Sequence, residues 1–120
     1  MIVACGNQES QSVVPLVAQV GSEQTGTVTL IPRGLRTEVV LKVNPGSPEN
    51  DPQPVHIHFG NCGDGLGDVD VTLNDLAAGE SVTLVDLSVS KLRDGDHAIN
   101  LHKSYPEIRV YSACGNIPKR

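Results

Sequence analysis

Residues 13–20 form a mostly apolar run, and residues 25–31 (TGTVTLI) alternate at period two, as a half-buried strand does. Between them, residues 21–24 (GSEQ) read as a hairpin turn. Residues 35–43 (LRTEVVLKV) give a third strand, entered through Pro32-Arg33-Gly34. The stretch 44–54 (NPGSPENDPQP) holds four of the eight prolines. Neither a helix nor a central strand tolerates that density, so it is expected to be a surface loop. Residues 55–59 return to a strand, 60–67 (GNCGDGLG) form a glycine-rich turn, and 68–73 alternate again with Val69, Val71 and Leu73 on one face. A strand over 81–87 follows the turn Ala78-Gly79-Glu80. Residues 88–93 (SVSKLR) read as one helical turn ended by Asp94-Gly95, and 97–102 and 108–113 as the last two strands. About eight short strands spaced by turns predict an all-β Greek-key sandwich or barrel. There is no internal repeat, and one domain is expected over 13–120, preceded by a separate N-terminal segment over 1–12.

Composition narrows this picture. A chain of 120 residues suits a single core. Aromatic residues make up 2% of it, so the core must be built from Val, Leu, Ile and Ala, and the β-branched excess again favours strands. The net charge is −5, and the only adjacent basic pair is Lys119-Arg120. Nucleic acid is therefore excluded as a partner, because displacing its counterions needs a basic stripe. No apolar run reaches the roughly 18 residues of a membrane span.

Ile2-Val3-Ala4-Cys5 resembles the end of a bacterial lipoprotein signal, with Cys5 as the lipidated residue and residues 6–12 (GNQESQS) as the tether behind it. The plain alternative is a frayed terminus with an incidental cysteine. Three cysteines cannot all pair within one chain. If Cys5 carries a lipid, Cys62 and Cys114 remain as an even pair of the kind an exported domain keeps, whereas two free buried thiols would suit a cytosolic protein.

Three of the four histidines are suggestively placed. His56 and His58 sit two apart in a strand, hence on the same face. Alone, such a pair is as often mere polar surface. His102 stands near the end of a later strand (AINLHKS), and if the two strands are neighbours a three-imidazole site forms, suited to copper or zinc. His97 lies five residues before His102, on the opposite strand face, and reads as a surface or turn residue. Asp64, Asp68 and Asp70 offer hard oxygens in a glycine-rich turn, but their spacing matches no calcium loop. No Ser/His/Asp or Cys/His catalytic arrangement and no phosphate-binding glycine loop stand out.

Val55-His56-Ile57-His58-Phe59-Gly60 followed by Cys62 resembles the copper-binding strand and disulfide cysteine of copper/zinc superoxide dismutases. Ile99-Asn100-Leu101-His102-Lys103 resembles the strand bearing that family's last copper histidine, and Ala113-Cys114-Gly115-Asn116-Ile117 its closing segment. The likeness extends to the related chordin-type (CHRD) domains. It implies a superoxide dismutase-like fold, copper ligands at His56, His58 and His102, and a structural disulfide between Cys62 and Cys114. Such a bridge closes a loop of about fifty residues, worth roughly 3–4 kcal/mol.

The departures from that family limit the function. His58 is followed by Cys62, and the next histidine is His97, so the loop carrying the family's bridging histidine and zinc ligands is missing. Tyr111 stands where the family's anion-guiding arginine would be; Arg109, on the same strand face, and Lys103 are the candidate substitutes. The expectation is an exported, extracytoplasmic, lipid-anchored copper-binding module. The alternatives are a copper-only superoxide dismutase and a non-catalytic structural or adhesive CHRD-like domain. Zinc in place of copper is also open, although the sequence places no Asp or Glu to back a zinc-bound water.

Overall fold

The computed structural model describes residues 10–47 and 50–120. Cys5, expected to carry a lipid, and most of the tether expected over 6–12 lie outside the described residues. The chain forms β1 (Ser12–Ala18), β2 (Thr25–Arg33), β3 (Arg36–Asn44), β4 (Val55–Gly60), β5 (Leu66–Thr72), β6 (Glu80–Val85), a single helical turn α1 (Val89–Leu92), β7 (His97–His102) and β8 (Tyr111–Asn116). It is nearly all β, as the alternation requires, and the one helical turn is capped by the Ser88 side chain, which accepts from the Lys91 amide.

The strands form one antiparallel sheet in the order β5-β4-β7-β8-β1-β2-β3-β6, curled into a half-barrel. β1, β2 and β3 make a meander; the chain then crosses the sheet to β4 and β5, crosses back to β6 beside β3, and crosses again through α1 to β7, which lies beside β4. Their register pairs Val55 with Leu101, Ile57 with Ile99 and His58 with Ala98. Val55 and Ile57 of β4 and Ile99 and Leu101 of β7 enter the core, where they join Val14, Leu16, Val28, Leu30, Val39 and Leu41, all buried. That core is aliphatic; Phe59, Tyr105 and Tyr111, the three aromatic residues of the chain, are all exposed. By alternation the even-numbered residues, His56, His58, Asn100 and His102, share the opposite face.

Two ends differ from the sequence expectation. The last strand begins at Tyr111, because residues 105–110 form a series of turns that fold back toward β7. The strand expected over 68–73 begins earlier, at Leu66, and is irregular: its register with β4 shifts on both sides of His58. Gly60, which ends β4, has φ +89°, and a Cβ there would lie 2.0 Å from the Gly65 carbonyl oxygen. Only glycine lets the chain turn this tightly directly behind the H-x-H pair.

Candidate metal centre

The sheet order places His56 and His58 on β4 next to His102 on β7. Their ring centroids are 4.6 Å (His56–His102), 5.7 Å (His56–His58) and 5.9 Å (His58–His102) apart. His58 and His102 are buried at 6% and 4% exposure, and His56 is half-buried. One ring nitrogen from each lies within 4.8 Å of the others. Two nitrogens bound to one ion at roughly 2.0–2.1 Å sit at most about 4.2 Å apart, so small ring tilts reach a coordinating arrangement.

Backbone carbonyls fix which nitrogens point inward. The Nδ1–H of His58 donates to the Gly67 carbonyl at 2.8 Å, and that of His102 to the Ile108 carbonyl at 2.6 Å. A carbonyl only accepts, so each Nδ1 carries the proton and each Nε2 keeps its lone pair. Those two Nε2 atoms, together with Nδ1 of His56, are buried and have no hydrogen-bond partner. Three inward nitrogens without partners are costly in a protein interior, and a metal ion is the partner that satisfies all three at once.

Both anchored histidines stand beside bulges. Two register shifts in the β4–β5 pair flank His58, and a third, in the β7–β8 pair, falls between Leu101 and His102. Bulges bend a strand locally and re-aim its side chains, which suits converging ligands from two strands on one point. The backbone at His102 is further held by Gln53, whose Nε2 donates to the His102 carbonyl at 3.0 Å. Tyr111 packs edge-on against the His102 ring at 5.3 Å.

Electrostatics keeps the ligands in their binding form. Burial pushes the pKa of His56 below the ordinary imidazole value, helped by the neighbouring His102 and His58 and opposed by the Asp75 carboxylate. Burial likewise lowers His102, partly offset by its bond to the Ile108 carbonyl. Both are therefore neutral near pH 7, as metal ligation requires.

Asp75 was not legible as a neighbour of this site in the sequence, yet its charge acts on His56, and it accepts a 2.6 Å hydrogen bond from the Tyr105 hydroxyl. Asp75 thus acts on the triad through its charge on His56, while its side-chain hydrogen bond goes to Tyr105. The two candidate anion guides are placed less favourably: Lys103 is paired with Glu107 at 3.1 Å, and Arg109 is exposed. Cys62 and Cys114 are joined in a disulfide with Cα atoms 6.0 Å apart. The Cys62 amide also donates to the Asn116 side chain at 2.7 Å, tying the turn after β4 to β8.

His97 corrects the expectation of a surface residue. Opposite parity does put it on the other face of β7 from His102, but at 5% exposure it is buried. Its two ring nitrogens bond Asp94 Oδ1 and Asp70 Oδ2, each at 2.9 Å, and Phe59 packs against it. The parity was read correctly; the cover supplied by Asp70 from β5 and Phe59 from β4 was not visible locally. Asp70 is thereby engaged, while Asp64 and Asp68 are exposed, and among the described residues the three aspartates form no metal-holding group.

Comparison of the chain with protein-family models, with curated proteins and with solved structures gives no match.

Proposed function

We propose that this domain is a copper-binding module that works outside the cytoplasm, with His56, His58 and His102 as the metal ligands. The observation that carries the proposal is the convergence of His56, His58 and His102, one ring nitrogen of each lying within 4.8 Å of the others, with a buried, partnerless nitrogen on every ring. The lowered pKa values of His56 and His102 support it, and three nitrogen donors suit copper and zinc alike. Copper is favoured by the likeness of the Val55–Gly60, Ile99–Lys103 and Ala113–Ile117 segments to copper/zinc superoxide dismutases. The Cys62–Cys114 disulfide suits an oxidising compartment. Among the described residues no helix is long and apolar enough to cross a membrane. Attachment through Cys5 remains part of the proposal, resting on the Ile2–Cys5 sequence alone.

Bound copper would supply a centre able to cycle between Cu(II) and Cu(I). Storage, delivery or protection is favoured over dismutation. Steering superoxide needs a cation beside the metal; by the resemblance Tyr111 stands where the guiding arginine would be, and the Lys103 ammonium is paired with Glu107, which leaves the exposed Arg109 as the candidate guide. The test is metal content after copper loading and dialysis, with His102→Ala alongside. One copper per chain, lost in the variant, is expected. No copper retained by the intact protein leaves a structural domain, and high dismutase activity that falls with salt would favour the enzyme.

A further inference from the structure

Asn100 stands in the middle of β7 with 0% exposure, and neither its Nδ2 nor its Oδ1 has a hydrogen-bond partner. A buried carboxamide left unpaired costs about 1–3 kcal/mol, and nearly all buried polar groups in folded proteins are paired. An aliphatic residue would suit this position in a strand without that cost. The side chains of Ile99 and Leu101, on either side, fill the core, so alternation turns Asn100 to the face that carries the histidines.

The register is specific about its neighbours. Asn100 is paired with His56 across the β4–β7 ladder and with Cys114 across the β7–β8 ladder, and it lies two residues before His102. Directly opposed residues have Cβ atoms about 4.5–5.5 Å apart, within reach of both ring and amide. The Cys114 sulfur, tied up in the disulfide, is a poor hydrogen-bond partner and leaves the amide unsatisfied. Five buried side-chain atoms without partners therefore gather on one face: three imidazole nitrogens and the two polar atoms of Asn100.

Three imidazoles leave at least one position on a bound metal ion for a small outside ligand. We propose that Asn100 positions that ligand, its carboxamide hydrogen-bonding a water molecule or small anion on the metal. This rests on the metal-binding function proposed above and adds to it a selectivity for the fourth ligand. The Nδ2–H₂ group donates to an anion, and Oδ1 accepts from a water, so either occupant finds a complementary atom.

The test uses the copper(II)-loaded protein and azide, a small anion whose binding to copper is read from its charge-transfer absorption. Wild type and Asn100→Leu are each expected to hold one copper per chain, with azide affinity about tenfold weaker in the variant. Equal azide affinity in the two proteins, with copper retained, overturns the role of Asn100 and leaves the metal site standing. No copper on the wild-type protein overturns both. Should the leucine variant not fold, Asn100→Thr against Asn100→Val gives the same contrast, since the two side chains share a shape and differ in the hydroxyl donor. Tighter azide binding in the threonine variant supports the proposal, and equal binding overturns it.

Discussion

The histidines of this small molecule are shifted in opposite directions. Burial lowers the pKa of His56 and His102, whereas that of His97 is raised. Burial works against the His97 charge too, but the bonds to Asp70 and Asp94 outweigh it and raise the pKa above its usual value of 6.5. The stability that this pair of bonds contributes is therefore fully present below about pH 6.5 and is lost as pH rises through the folded-state pKa. For His56 and His102 the sign is reversed. In the metal-free protein their contribution is present above about pH 6.5 and is lost as pH falls toward their lower folded values. Comparing wild type with His97→Asn cancels the terms common to both proteins. In urea unfolding with a chelator present, the stability difference between the two is expected to be larger at pH 6 than at pH 9. The same difference at both pH values would show that His97 is not a charged clamp.

At the scale of elements, the turn between β4 and β5 does two jobs. It carries Cys62, bridged to Cys114 on β8, and it leads into Gly67, whose carbonyl orients His58. The bridge closes a span of 52 residues in the sequence. In the chain-entropy account its loss costs roughly 3–4 kcal/mol. A Cys62→Ser/Cys114→Ser double variant is expected to lose about that much unfolding free energy in urea. It is also expected to bind copper more weakly in a competition titration with a chelator, because the turn leading to Gly67 is no longer tethered. Unchanged affinity would separate the disulfide from the site. Much of this level was legible in the sequence. Residues 97–102 and the helical turn near 88–93 fall where alternation and the Asp94-Gly95 stop signal put them. The last strand was misplaced because Ile108 and Val110 continue an apolar rhythm through what are turns. Asn100 shares the parity of His102 and so was readable in principle. Asp75 was not, since nothing local relates a loop residue to His56.

At the scale of the whole molecule, the site exists because of sheet order. His56 and His102 are 46 residues apart in the sequence and meet only because two crossovers set β4 beside β7. Period-two alternation specifies which face a residue takes, but not which strand lies next to which. That adjacency depends on non-local pairing, so the pattern of apolar positions alone left the triad conditional. An aliphatic core with few large side chains still suffices, since β1, β2, β3, β4, β6 and β7 each bury Val, Leu or Ile in it and β8 adds Ala113.

The groups that orient His58 and His102 belong to the main chain, at Gly67 and Ile108, and main-chain groups are inherited through loop length more than through residue type. Ile108 is 38% exposed. Ile108→Ala is thus expected to leave copper affinity within about twofold of wild type, whereas deleting one residue from 104–107 lowers it at least tenfold; a competition titration on the three proteins decides it. Related chains are then free to vary nearly every side chain around the metal, provided that the two loops keep their span. Transplanting the three histidines onto another sheet would carry the ligands across and leave their aim behind.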